Sequence, residues 1–257
     1  MLYDNFENGI NPAWHITEQG KGKVITENSA LHLIHPAHDA TGYHNAQISD
    51  YDAKRQFTLR PPLRMTVTAE ASTDDLRGTA GFGFWNHPFA PGESNFDVPQ
   101  AVWFFFGSSE SDMALAKDVP GHGWKAATFN AKQWSFFGLL PTAPLAMPLM
   151  NIAPVYDSLW SIGQRAIGVT EKALDTQLLR EKHEYQIDWL PDRAIFRIDG
   201  DTVLEASDAI TNNPLGFIAW LDNQYAIVSP KGKFGFGFVD VPHDQSLILH
   251  DIKIEKL

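Results

Sequence analysis

The sequence contains no cysteine, which excludes disulfide staples, thiolate catalysis and cysteine-based zinc sites. No uninterrupted run of about 18 apolar residues occurs, so no segment reads as a membrane-spanning helix. Basic residues are scarce: 20 Lys and Arg stand against 31 Asp and Glu, a formal net charge of −11. An acidic surface repels phosphate, so neither nucleic acid nor a membrane is expected as a partner. Phosphate loops are missing too. Gly-Phe-Gly-Phe occurs at 81–84 and again at 235–238, but neither copy leads through a third glycine into a helix, and no Gly-Lys-Ser/Thr exists. No His-Glu-x-x-His helix is present, and the i, i+3, i+6 spacing of His32, His35 and His38 does not put three imidazoles on one side of a strand, so a zinc site is not expected. Residues 1–14 have neither a basic nor an apolar leader segment, which makes the cytoplasm the expected location.

Aromatic residues are abundant. Eight Trp and 17 Phe in 257 residues imply a large core, a lined cleft, or both. The composition is globular, and the length suits one all-β domain across 1–257. Most of the chain reads as short strands. In "LRMTVTAEAS" (63–72), Met65, Val67 and Ala69 fall on one side. "AGFGFWN", "AVWFFFGS", "HEYQIDWLP", "RAIFRIDG", "TVLEAS", "GFIAWLD", "KFGFGFVDV" and "SLILHDIKIEKL" continue the series. Turn signals such as "RPP", "APGE", "LPDR", "DGD", "TNNP" and "SPKG" separate them. Pro191-Asp192 and Asp199-Gly200 make 185–206 the clearest pair of hairpins. The pattern predicts a β-sandwich or barrel.

Residues 113–181 break the pattern. "FFGLLPTAPLAMPLMNIAPVYDSLW" (136–160) is rich in Pro, Leu and Met, and "DSLWSIGQRAIG" and "TEKALDTQLLREK" have helical spacing. Leu159, Ile162, Ala166 and Val169 form one stripe; Ala173, Leu174 and Leu178 form another. Asp157 and Thr170 are the predicted N-caps, with Gly168 separating two helices. The segment reads as a partly helical apolar insertion within the β-fold. A packed excursion, a homo-oligomer contact through 136–160 and a lid over a cleft all fit it.

The hairpin "HEYQIDWLPDRAIFRIDGDTV" resembles a strand pair of concanavalin A-like jelly rolls of the laminarinase and β-glucanase type. "SLILHDIKIEKL" is similar to the last strand of that fold, and "NFENGINPAWHITEQGKGKVITENSALHL" to its entry. "LRMTVTAEAS…GFGFWN" stands where those enzymes carry a strand ending in Ala-Phe-Trp. The resemblance implies an all-β, concanavalin A-like jelly-roll β-sandwich, a fold that hosts hydrolases, lyases, lectins and binding modules. It also implies a following strand of the form Glu-x-Asp-x-(x)-Glu, whose carboxylates on one face serve as nucleophile and acid. Here that strand is "QAVWFFFGSSE". Val102, Phe104 and Phe106 lie on one face, Ala101, Trp103 and Phe105 on the other, and neither face has a carboxylate. The nearest acids are Asp97 before it and Glu110 and Asp112 after it. The resemblance implies, finally, a structural Ca²⁺ held by Asp251 on the last strand and oxygens of residues 5–8; no other cofactor is expected.

The candidate site follows from strand parity. Gly81, Gly83 and Trp85 lie opposite Phe82, Phe84 and Asn86. In the second copy, Phe234, Phe236, Phe238 and Asp240 lie opposite Gly235, Gly237 and Val239. Each glycine face leaves room for a ligand or another backbone, or marks a bulge or tight curvature. Each Phe face is expected between sheets. Trp85, Trp103 and Trp220 are expected on one concave face, with Gly81, Gly83, Asn86, Phe105, Asn223 and Tyr225 as further ligand contacts. His44, His87 and Asp222 are the candidate proton carriers, and each reads equally as a hydrogen-bonded polar group. Three functions stay open. One encloses an apolar or aromatic small molecule and converts it by acid–base chemistry. One is carbohydrate-active, hydrolase or lectin-like, with Asp97, Glu110 or Asp112 as acids. One is a structural or oligomerisation module.

Overall fold

The computed structural model describes residues 1–52, 54, 56–88 and 97–257; the turn expected at 90–93 lies outside them. Along the chain come β1 (Leu2–Asp4), β2 (His15–Gln19), β3 (Lys23–Glu27), β4 (Ala30–His35), β5 (Asn45–Ser49), β6 (Leu63–Ala71), β7 (Thr79–Trp85), β8 (Gln100–Gly107) and β9 (Gly123–Asn130). Helices α1 (Trp134–Leu139), α2 (Ala143–Leu149) and α3 (Ala153–Ala166) follow, and then β10 (Val169–Ala173). The remainder is β11 (His183–Trp189), β12 (Ala194–Ile198), β13 (Asp201–Ala206), β14 (Gly216–Asp222), β15 (Gln224–Val228), β16 (Phe234–Phe238) and β17 (Gln245–Lys256).

Two antiparallel sheets face each other. One runs β13-β12-β11-β6-β17-β4-β3, with β1 added along β17; the other runs β10-β9-β8-β7-β14-β5-β2. β15 and β16 form a separate two-stranded ribbon. This is the jelly-roll sandwich that the alternating strands and the resemblance both predict. Period-two alternation explains its core. Met65, Val67 and Ala69 of β6 point inward, as do Phe82 and Phe84 of β7, Phe104 of β8 and Phe217 of β14. Aromatic rings bridge the two layers: Phe84 meets Trp189 at 5.1 Å and Phe104 meets Phe196 at 5.3 Å between centroids. Each such side chain removed from water contributes about 1.5–3 kcal/mol. The β12–β13 hairpin turns on Asp199 and Gly200, both at positive φ, as its Asp-Gly signal requires.

Residues 113–181 differ from the expected insertion. β9 and β10 inside that range are full members of the seven-stranded sheet. β9, "GWKAATFN", is covered on both faces, so it has no alternation to read. "TEKALDTQLLREK" is not a helix: Thr170 is a strand residue in β10, followed by a 3₁₀ turn over Thr176–Arg180. Five ladder pairs with β9 outweigh its helical spacing, because propensity is a weak prior against tertiary pairing. The first predicted helix exists but starts earlier. α3 begins after Ile152 with Pro154 in its first turn, so Asp157 is a helix residue rather than the cap. Gly168, at φ +59°, ends it as expected. Of the stripe, Ala166 and Val169 are buried while Leu159 and Ile162 are exposed; Trp160 anchors the helix, donating from Nε1 to the Leu115 carbonyl at 2.9 Å. The second Gly-Phe-Gly-Phe is also corrected. β16 is not a sandwich strand, and Phe234 and Phe236 face solvent rather than filling the space between sheets.

Candidate functional site

The outer face of the seven-stranded sheet carries the aromatic set. Gly83 pairs with Trp103 and Gly81 with Phe105 across β7 and β8; Gly81 pairs with Trp220 across β7 and β14. Since inward residues fill the core, Trp85, Trp103, Phe105 and Trp220 share the opposite side. Their rings form one cluster. Trp85 and Trp103 stack at 5.1 Å and 21°, Trp103 and Phe105 at 5.4 Å and 27°, and Trp220 lies 5.2 Å from Trp103 and 6.0 Å from Phe105. Trp85, Trp103 and Phe105 remain partly exposed, while Trp220 is buried.

The glycines serve this cluster rather than an open ligand space. A Cβ on Gly81 would come within 2.8 Å of Trp220 Cη2, and one on Gly83 within 2.6 Å of Trp103 Cβ. The room at both glycines is therefore taken by the β8 chain and, at Gly81, by the Trp220 indole, which corrects their reading as direct ligand contacts. Glycine lets the rings lie close to the sheet.

Two polar margins flank the rings. On β14, buried Asp222 accepts at Oδ1 from Thr79 Oγ1 at 2.7 Å, from Gln224 N at 3.0 Å and from Thr79 N at 3.2 Å. Tyr43 donates to its Oδ2 at 3.2 Å, and Trp220 Nε1 donates to Thr79 Oγ1 at 3.0 Å. Burial pushes the Asp222 carboxyl up to about 6, against the pull of these donors, and burial likewise raises the Tyr43 phenol. On the other side, Lys125 of β9 and Glu171 of β10 meet at 3.4 Å, both buried. Lys125 Nζ also reaches the Met113 carbonyl at 3.4 Å, and burial raises the Glu171 carboxyl despite the ammonium. Residues 113–117 cover this pair, and α3 pins them through the Trp160–Leu115 bond and Gln164 Oε1, which accepts from Lys117 N at 2.8 Å. Neither Lys125, Glu171 nor Tyr43 emerged from the sequence. Glu171 lay in a stretch read as helical, Lys125 in the part of 113–181 that shows little alternation, and Tyr43 sits in a loop that spacing does not place.

Other expected site residues fall elsewhere. His44 precedes Asn45, the register partner of Asp222, so its ring points to the opposite face of the sheet. There it meets His38 at 4.1 Å, and His38 meets His35 at 5.6 Å. The chain thus gathers three imidazoles that spacing alone does not. His44 Nδ1 accepts from Lys21 N, which puts the neutral ring's proton on Nε2; His38 Nδ1 lies 2.9 Å from the Asp39 carbonyl and so carries the proton there. Burial, then the neighbouring imidazoles, drive His35 down to about 3 and lower His44. His87 does stand by the cluster, 5.7 Å from the Trp85 ring, with Nδ1 3.2 Å from the Tyr51 hydroxyl. Asn86 faces away from the rings and holds the backbone of Val98 and Gln100. Asn223 is fully buried, bonded to His44 N, Gly42 O and Val239 O. Tyr225 belongs to the ribbon, packed against Gly237. Asn86, Asn223 and Tyr225 therefore do not line the aromatic face.

Neither face of β8 carries a carboxylate, and Asp97 stands apart from the acids that follow the strand. Asp97 and Glu110 flank opposite ends of β8, separated by roughly 24 Å at ~3.4 Å per residue. Asp97 pairs with Lys132 and Glu110 with Arg77, while Asp112 joins the Ile227 edge of β15 through its backbone. Asp222 and Glu171 share the outer face but stand four strands apart, about 19 Å at ~4.8 Å per strand. Two-carboxylate hydrolysis needs about 5–9.5 Å. Asp251 of β17 lies opposite Thr68 of β6, and in the N-terminal loop the Asp4 carboxylate accepts from Phe6 N, Asn11 N and Trp14 Nε1. Among the described residues, no group of three His, Asp or Glu side chains could hold a metal ion. Cavities of about 530 and 350 Å³ meet at Asp50, and neither is lined by the indoles.

No family model matches the chain, and no curated protein matches it. Solved structures do. A laminarinase from Flavobacterium sp. UMI-01 superposes with a TM-score of 0.55 at 14% identity, over 100% of this chain and 99% of that one. A Bacillus licheniformis β-glucanase does so at 0.53 and 10%, over 100% and 98%. The exoplasmic/lumenal domain of VIP36, in a Ca²⁺/Man3GlcNAc-bound form, does so at 0.54 and 11%, over 99% and 86%. At such identity the likeness shows fold alone: this chain is built as the concanavalin A-like jelly-roll sandwich that these proteins share.

Proposed function

We propose that the chain binds an oligosaccharide on the outer face of its seven-stranded sheet and does not hydrolyse it by a two-carboxylate mechanism. The observation that carries the reading is the partly exposed cluster of Trp85, Trp103 and Phe105, backed by Trp220. Indole faces pack against the C–H faces of sugar rings, and a few placed polar groups then fix orientation. β5 and β2 supply such groups beside Trp220: Gln47 and Thr17 lie in register with it, and buried Asn45 Oδ1 has no partner among the described residues. The proteins of similar fold are described as glucanases, a laminarinase and a Man3GlcNAc-bound domain, which supports a glycan over a small apolar molecule. The lack of a carboxylate on either face of β8, beside the indoles, supports binding over hydrolysis.

Titration calorimetry with laminarihexaose, cellohexaose and Man3GlcNAc tests this. At least one should bind, and Trp103→Ala should weaken it about tenfold, or about 1.4 kcal/mol. Binding of hydrophobic metabolites alone would overturn the glycan reading. Sustained release of new reducing ends would overturn the non-hydrolytic part.

A further inference from the structure

Among the described residues, many exposed large apolar side chains fall outside the indole cluster, between Trp134 and Ile162 and at Phe234 and Phe236. From Gln133 to Tyr156 the sequence has no charged residue. This stretch folds as α1, α2 and the start of α3, short helices broken by Pro141, Pro144, Pro148 and Pro154. Several of its described apolar side chains are not packed away: Trp134 is 92% exposed and Leu145 78%, and Leu149 and Ile152 are exposed too. The β15–β16 ribbon extends the same surface. Asn151 Nδ2 donates to the Lys231 carbonyl, and Met147 sits 3.4 Å from where a Gly232 Cβ would be. Beyond that junction Phe234 and Phe236 are 65% and 76% exposed. Two elements distant in sequence thus present large apolar groups side by side, on a scale that marks an interaction surface.

Charge says what covers it. With Lys117, Asp112 and Asp118 that pack against them, residues 131–168 and 224–238 bring Lys117, Lys132, Arg165, Lys231 and Lys233 together with Asp112, Asp118 and Asp157, a net +2 in a chain of net −11. Lys132 is paired with Asp97, while Lys231 lies over the Tyr156 ring at 5.5 Å, at the junction of helices and ribbon. A two-fold contact with a second copy would bring this patch against itself, lysine toward lysine, with fewer acids than bases to pair them. A lipid surface offers phosphates to the lysines and acyl chains to the Trp and Phe. No described helix is long and apolar enough to cross a membrane, so the contact would be interfacial. We propose that the α1–α3 segment and the tip of the β15–β16 ribbon form a peripheral docking face for bilayers containing anionic phospholipid. The net charge used to argue against membranes is an average over an acidic body and a basic, apolar face.

Flotation with phosphatidylcholine vesicles, with and without phosphatidylglycerol, tests it on the full chain. The chain should float with the anionic vesicles, less with phosphatidylcholine alone, and less at high salt. Phe234→Ser/Phe236→Ser should cut binding by about tenfold or more, and Lys231→Glu/Lys233→Glu should remove the preference for anionic lipid. All four side chains are exposed, so an unchanged thermal midpoint confirms the fold of each variant. Failure to float with anionic vesicles overturns the proposal, as does flotation unaffected by either pair. A stable dimer by light scattering that Phe234→Ser/Phe236→Ser converts to monomer, without vesicle binding, assigns the face to a second copy instead.

Discussion

Gly-Phe-Gly-Phe at 81–84 lies in the middle of a seven-stranded sheet; the same four residues at 235–238 run along a two-stranded ribbon. In the first, Phe82 and Phe84 are fully buried and the glycines sit beneath Trp220 and Trp103. In the second, Phe236 projects into solvent, Gly237 makes room for the Tyr225 ring, and Gly235 meets only Ile227. The strand period is identical. What differs is the number of layers: β7 has a partner sheet on one face and indoles on the other, whereas β16 has one strand neighbour. An aromatic residue in a strand therefore becomes core, part of a surface ring cluster or an exposed edge group according to what its tertiary neighbours supply.

The comparison breaks most easily at its buried end. Phe82→Ala should lower unfolding free energy by about 4 kcal/mol in urea denaturation, through lost transfer energy and the cavity left behind. Phe236→Ala should change it by less than about 0.5 kcal/mol. Equal costs would mean that the ribbon packs into the sandwich. Next in size is Lys125→Met, at the margin of the indole face. It strands the buried Glu171 carboxylate and should cost about 3 kcal/mol, most of it recovered in Lys125→Met/Glu171→Leu. If the double variant is as unstable as the single one, Lys125 acts by packing and not by charge.

How much of this the sequence carries depends on layers as well. β6, β7, β8, β11, β12, β14 and β17 are legible because one face alternates, or because an aromatic run is bounded by turns. β9 is covered on both faces and has Lys125 in its middle, so it has no period. β10 carries Glu-Lys-Ala, good helix formers held extended by their neighbour. The grouping of Trp85, Trp103 and Trp220 follows from parity and is legible. The filling of the glycine space, the Asp222–Thr79–Tyr43 contacts and the gathering of His35, His38 and His44 depend on register between distant strands, which no local spacing encodes.

The root of the ribbon gives a third, pH-dependent contrast. Val241, just after β16, pairs with His38, so the histidine group sits where the ribbon rejoins the sandwich. His35 has a folded-state value near 3, below its ordinary 6.5. Its contribution is fully present above about pH 6.5 and is lost as pH falls toward 3, because the unfolded chain binds the proton first. Asp222 and Asp50, raised to about 6, act in the opposite sense: the folded chain gains from their protonation as pH falls through 6. Comparing wild type with His35→Leu cancels those carboxyls. Wild type should lose about 2 kcal/mol more than the variant between pH 6.5 and 4.5. Parallel pH curves would show that His35 titrates normally in the fold.

The smallest single effect, at Gly235, separates the two glycine pairs. A Cβ at Gly83 would lie 2.6 Å from Trp103 Cβ, on a backbone at φ +151° that side chains rarely adopt, so Gly83→Ala should cost about 2–3 kcal/mol and disturb the indole stack. A Cβ at Gly235 would meet Ile227 at 3.7 Å, ordinary contact distance. Gly235→Ala should therefore be neutral or stabilising by up to about 0.5 kcal/mol, since alanine restricts the unfolded chain at no cost to the ribbon. Thermal midpoints of the two single variants decide it. If Gly235→Ala destabilised as much as Gly83→Ala, the ribbon would be holding a second layer over its glycine face, and the contrast between the two Gly-Phe-Gly-Phe segments would fail.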